Sequence, residues 1–168
     1  MYDIYVFFVR QSQRYKYKDI IFLNNMPKID DKDKKILEKL RKDSRTPYTE
    51  IAEELDVSEA TVRKRIDSLK KDGVIEKFTI ELDPTTLGYG TVTLLGLDVE
   101  PEYFLKAVED MCEIEEVKWV AKSTGDHMIM AEIWAEDGDH LSNIMTKKIG
   151  KIDGVRDLCP AIILEKIR

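Results

Sequence analysis

Within residues 57–73, VSEATVRKRIDSLKKDG, the stretch Ser58–Lys71 sets five basic side chains (Arg63, Lys64, Arg65, Lys70 and Lys71) against two acidic ones (Glu59 and Asp67) in a chain of formal net charge −6. Val62, Ile66 and Leu69 recur at i, i+4, i+7, which predicts a helix with these three on its buried side. Helical geometry then turns Ala60, Lys64, Asp67 and Lys71 outward and sets Thr61, Arg63 and Ser68 on the flanks. Such a surface can enter a DNA major groove, where small Ala60 and Thr61 permit close approach while Arg63 and Lys64 reach base edges or phosphates. The residue types fit a solvated surface helix equally well, and Asp67 counts against DNA unless it lies beyond the groove.

The rest of the composition sharpens the contrast. Residues 28–78 carry 14 basic and 13 acidic side chains, whereas residues 79–168 carry 9 and 18, so the acidity lies in the C-terminal half. Cys112 and Cys159 stand far apart with no CxxC spacing, which argues against a disulfide framework or a zinc site and predicts buried, reduced thiols. Nothing in the sequence asks for a metal or another cofactor. The apolar run Ile4–Val9 is too short to span a bilayer and lacks a basic leader, so a cytoplasmic protein without membrane partners is expected.

The elements that would position the basic helix precede it directly. Asp30 can cap a first helix whose Ile36, Leu37 and Leu40 form an apolar stripe. Pro47 opens a short second helix with Ile51, Ala52 and Leu55 facing inward. Asp56 makes the turn, where a left-handed backbone suits Asp better than most residues. Ser58 caps the basic helix and Gly73 ends it. VIEKFTIEL, residues 74–82, reads as a strand, so residues 28–82 are expected to form a helix-turn-helix domain with a wing. Residues 1–27 form an N-terminal extension whose two aromatic and β-branched runs suggest a hairpin, and DPTTLGYG, residues 83–90, has the composition of a hinge.

Residues 91–168 alternate as strand 91–99, helix 101–111, strand 117–122, strand 127–135, helix 139–150 and strand 155–166. That order is βαββαβ, the ferredoxin-like arrangement, giving an α+β protein overall. Phe104, Leu105, Val108 and Met111 form one apolar helix stripe; Leu141, Ile144, Met145 and Ile149 form the other. In the strand from His127 to Ala135, Ile129, Ala131 and Ile133 line one side. Met128, Met130 and Trp134 line the other, interrupted by Glu132. Apolar residues on both sides predict a dimer through the sheet.

IDDKDKKILEKLRKDSR, IAEELDVSEATVRKRIDSLKKDGVI, DPTTLG and STGDHMIMAEI, in this order and spacing, resemble the Lrp/AsnC (feast/famine) transcriptional regulators across residues 29–167. The departures are Asp56, where members often have Gly, His127, where Tyr or Phe is common, and the extension before Met26. The resemblance implies a winged-helix-like domain joined to an amino-acid-responsive βαββαβ domain that forms homodimers and often octamers. It implies a recognition helix over Ser58–Lys71, with Ser58, Glu59, Ala60, Thr61, Arg63, Lys64 and Lys71 toward double-stranded DNA. It also implies an effector site at Ser123, Thr124, Gly125, Asp126 and His127, between dimers. On residue types alone, Thr124–Asp126 fit a plain hairpin turn equally well. Siroheme decarboxylases share this overall architecture and supply the competing reading, a tetrapyrrole enzyme. Against it, residues 76–90 hold no Arg or His, and His127 and His140 are the chain's two histidines.

Overall fold

The computed structural model describes residues 28–165 and 167, so the hairpin expected in the N-terminal extension lies outside the described residues. The chain divides into two compact units, with the boundary between Ile80 and Glu81.

In the first unit, helices α1 (Asp31–Lys42), α2 (Tyr48–Glu54) and α3 (Glu59–Lys71) follow from local signals. Asp30 and Asp33 form a reciprocal capping box at the start of α1, and Lys39, Arg41 and Lys42 in its last turn complement the helix dipole. Pro47 occupies the N-cap of α2, and Ser58 Oγ accepts the Thr61 N–H, 3.2 Å away, to cap α3. Helices α2 and α3 end in the same way. Val57 N–H donates to Ala52 O and Val74 N–H to Leu69 O, at 3.0 and 2.9 Å, each across a left-handed residue, Asp56 at φ 48° and Gly73 at φ 71°. Between the helices lie Ile36, Leu40, Ile51, Ala52, Leu55, Val62 and Ile66, all buried. Each of the larger of these contributes about 1.5–3 kcal/mol through burial.

Residues 76–82 are not a strand. The amides of Val74 and Ile75 are both taken by Leu69 O at the end of α3, and no strand among the described residues supplies a ladder for residues 76–82. Alternating Phe78, Ile80 and Leu82 therefore remain exposed. Residues Thr85–Leu87 form a 3-10 turn closed by Gly88 at φ 93°.

The second unit has the expected βαββαβ order: β1 (Thr91–Val99), α4 (Phe104–Cys112), β2 (Val117–Lys122), β3 (Ile129–Ala135), α5 (Gly138–Asn143) and β4 (Val155–Ile162). The sheet is antiparallel throughout, in the order β2-β3-β1-β4. Leu95, Leu97 and Val99 of β1 and Ile129, Ala131, Ile133 and Ala135 of β3 pack with Ala107, Met111, Leu141, Ile144, Met145 and Ile149 on the helix side.

Several details differ from the sequence expectation. Helix α4 starts at Phe104 because residues 101–103 form a preceding turn, and its Leu105 is 65% exposed rather than core-facing. The expected helix 139–150 is α-helical only to Asn143. It continues as a π-helical stretch, Ile144–Lys148, and a 3-10 turn, Ile149–Lys151, which keep Ile144, Met145 and Ile149 all buried. Strand β4 stops at Ile162. The two cysteines are unpaired but not buried: Cys112 is exposed on the outer side of α4 and Cys159 is half-buried on β4.

Candidate nucleic-acid interface and effector loop

With Val62, Ile66 and Leu69 in the core, α3 exposes Glu59, Ala60, Arg63, Lys64, Asp67 and Lys71. Glu59, Ala60, Arg63, Lys64 and Asp67 line a shallow open concavity with Ala60, the smallest of them, among its walls. Ser58 is exposed and Thr61 half-buried, their hydroxyls 2.8 Å apart, so both are engaged in the cap.

The five basic residues of α3 have different partners. Arg65 points away from the exposed side: its Nη1 lies 2.8 Å from both Asp30 Oδ2 and Asp33 Oδ1, tying α3 to the N-terminus of α1. These carboxylates hold the guanidinium above its ordinary pKa. The Asp33 N–H, and after it Arg65, hold the Asp30 carboxyl below its ordinary value. Lys70 Nζ sits 5.8 Å from the centroid of the Phe78 ring. Arg63 stays on the exposed side, with Nη2 2.7 Å from Glu59 Oε1 and Cζ 5.4 Å from the centroid of the Tyr48 ring. Lys64 and Lys71 are exposed ammonium groups. Tyr48, half-buried against the core, was not singled out from the sequence. Its signal was an aromatic directly after the helix-opening Pro47, and only the fold brings it beneath Arg63.

In the second unit the loop between β2 and β3 is closed by the Ser123 N–H donating to Met128 O at 2.9 Å. Gly125 N–H donates to Ser123 Oγ at 3.1 Å, while Thr124, Gly125 and Asp126 are exposed. Gly125 has no left-handed φ, and a Cβ there would meet only Ser123 Oγ, at 3.5 Å. Turn geometry therefore does not require glycine at this position. His127 leaves the loop and lies on the sheet face away from the helices. Its Nδ1–H donates to Asp98 Oδ2 at 2.8 Å, and Met128 N–H donates to Asp98 Oδ1 at 3.0 Å. Asp98 holds the imidazole above its ordinary pKa of 6.5.

That sheet face also carries Leu94, Met130 and Trp134, half-buried, and Trp119, 42% exposed. At its centre Glu132 accepts two indole N–H groups, from Trp119 at 3.0 Å and Trp134 at 2.5 Å. Lys118 Nζ stands 5.4 Å from the ring centroids of both Tyr89 and Trp134. Among the described residues no cluster of His, Cys, Asp and Glu could hold a metal ion, and no helix is long and apolar enough to cross a membrane.

Comparison with known proteins agrees with both units. Residues 29–76 match the winged helix-turn-helix DNA-binding model and residues 93–168 the Lrp/AsnC ligand binding domain. The chain is 54% identical to the HTH-type transcriptional regulator LrpA of Pyrococcus horikoshii, over 83% of this chain and 99% of the relative. It is 38% identical to LrpA1 of Halobacterium salinarum, over 81% and 96%. The structure of E. coli AsnC superposes with a TM-score of 0.75 at 28% identity, covering 83% of this chain and 95% of that one. A capped helix-turn-helix with a basic outer side, followed by a four-stranded βαββαβ ligand-binding unit, thus places the chain in the Lrp/AsnC family of DNA-binding transcriptional regulators that respond to small molecules.

Proposed function

We propose that α3 is the recognition helix, with Ser58, Glu59, Ala60, Thr61, Arg63, Lys64 and Lys71 facing the major groove of a specific operator, and that the effector is an amino acid held by Ser123–His127. The observation that carries the DNA reading is the division of labour on α3. Arg65 is turned onto α1, while Arg63 and Lys64 stay on the exposed side beside small Ala60, with Lys71 exposed at the far end of the helix. Lys64 and Lys71 suit phosphates as compact point charges, and the capped N-terminus of α3 adds a favourable dipole. Gel-shift titration over a salt series tests this: each phosphate-contacting lysine replaced by Ala lowers the slope of log K against log salt by about 0.9. Unchanged affinity and slope in both the Lys64→Ala and Arg63→Ala variants would remove α3 from the interface.

For the effector, Gly125 supports the reading because the loop itself does not need a glycine there, while a ligand approaching the backbone does. Asp126 offers a carboxylate to an ammonium group. An effector acts only through differential affinity for two states, so Asp126→Ala should weaken amino-acid binding in calorimetry and leave effector-free DNA affinity intact.

The homodimer is read from the sheet face opposite the helices, where Leu94, Met130, Trp119 and Trp134 remain uncovered. A dimer formed there carries two α3 helices, whose expected targets are adjacent half-sites about one DNA turn apart. The octamer and the placement of the effector loop between dimers rest on family resemblance. Met130→Lys, in the middle of that face, should give a folded monomer in light scattering at micromolar concentration. The same reading makes the protein cytoplasmic and non-enzymatic, so added siroheme should keep its free spectrum.

A further inference from the structure

We infer that Arg63 reads a guanine in the operator and that Glu59 and Tyr48 position it for that contact; this rests on the docking of α3 proposed above. The Arg63 side chain is 61% exposed, yet it is held on two sides, by the Glu59 carboxylate at 2.7 Å and by the Tyr48 ring at 5.4 Å. Glu59 lies one turn earlier on the same helix. Tyr48 lies in the first turn of α2 and is packed against the core of the unit. The guanidinium is therefore braced against both helices of the helix-turn-helix, and less side-chain freedom remains to be lost on binding.

The chemistry of the braced group selects the base. A guanidinium has five N–H donors and no acceptor, and the Glu59 contact occupies one edge of it. The remaining donors match the adjacent O6 and N7 acceptors that guanine presents in the major groove. Adenine sets an amino donor beside N7, and thymine offers O4 alone. The arrangement also accounts for an acidic residue on a surface that meets DNA. Alone, Glu59 would repel phosphate; as a brace it orients the reading group. Lys64 is exposed, and its ammonium is a compact point charge without the guanidinium's planar fork.

The test uses the full chain: selection from a random DNA pool, then competition titrations in which each guanine of the selected site is replaced in turn. In the parent, one guanine per half-site should carry a loss of roughly five- to a hundredfold on replacement. That loss should vanish in Arg63→Ala and shrink in Arg63→Lys. Glu59→Gln should bind non-specific DNA at least as tightly as the parent while its guanine discrimination falls roughly two- to fivefold, whereas a merely structural role would lower both together. Tyr48→Leu should lose discrimination and Tyr48→Phe keep it, with thermal melts confirming that each variant is folded; if Tyr48→Leu is not, Glu59→Gln decides. Guanine discrimination that persists in Arg63→Ala, or stays complete in Glu59→Gln, overturns the inference. A parent that selects no DNA at all overturns the docking of α3 itself, whereas selection of sites without guanine dependence overturns this inference alone.

Discussion

The imidazole of His127 lies directly on Gly96: a Cβ built at residue 96 would stand 2.1 Å from Cδ2 and 2.5 Å from Cγ of the ring. Gly96 is in the middle of β1, hydrogen-bonded into the sheet between Met130 and Cys159, so its backbone cannot withdraw. Gly96→Ala should force the ring off the sheet, break its contact with Asp98 and cost about 1–3 kcal/mol, measured by denaturant unfolding. His127→Ala in the same background should restore most of the loss.

The contact with Asp98 also sets a pH dependence. His127 has its pKa raised above 6.5 by the Asp98 hydrogen bond, so protonation is favoured in the folded state. The resulting stabilisation is complete below the unfolded value and is lost as pH rises through the folded one. Imidazole titration followed by NMR should give a midpoint above that of an exposed histidine, and Asp98→Asn should bring it back down. A parent and variant that titrate together would show that the carboxylate does not act on the ring.

Arg65 belongs to the scaffold although it sits on the basic helix. Arg65→Met should destabilise the first unit by about 1–2 kcal/mol, because the nearly buried Asp33 loses a charged donor across to α3. The same variant should leave the salt slope of DNA binding unchanged, in contrast to Lys64→Ala. Thermal melts paired with gel-shift titrations separate the two effects.

Asp56 holds the left-handed position that ends α2, with φ 48°. Asp tolerates that backbone but Gly adopts it freely, so Asp56→Gly should stabilise the first unit by about 0.5–1 kcal/mol despite the added freedom of the unfolded chain. A lowered melting temperature would show that the Asp side chain contributes more than the backbone costs.

Much of this was legible because the signals were local. Asp30, Pro47, Asp56, Ser58 and Gly73 each act within four residues, and all five occupy the cap or turn positions that their chemistry suggests. The apolar stripe placed α3 for the same reason, and the strands expected over 91–99 and 117–122 have those bounds in the fold. What failed depended on distant partners. Residues 74–82 have strand composition, yet strand formation needs a neighbouring ladder, and composition does not report one. Leu105 was counted in the apolar stripe of α4, but the helix buries Ala107 and Met111 and leaves Leu105 65% exposed. At the candidate interface, residue types marked Arg63, Lys64 and Arg65 alike. Only the fold shows that Arg65 is committed to Asp30 and Asp33 while Arg63 rests on Tyr48.

Thr93 is fully buried on the helix side of β1, and its Oγ1 has no hydrogen-bond partner among the described residues. Thr93→Val keeps the shape, suits the strand and removes the unmet hydroxyl, so it should raise stability by about 1 kcal/mol in denaturant unfolding. A destabilised variant would mean that the hydroxyl finds a partner in solution.

The chain has two tryptophans, Trp119 and Trp134, and both indoles donate to Glu132 on the uncovered sheet face. The helix-turn-helix unit has none. Intrinsic fluorescence is therefore a built-in optical probe of one surface: its wavelength and quenching report the hydration of that face and the charge of a single carboxylate, while DNA engaging α3 leaves no tryptophan signal of its own. A spectral shift on dilution would follow what covers the sheet, and a shift on adding DNA would be direct evidence that the two units communicate.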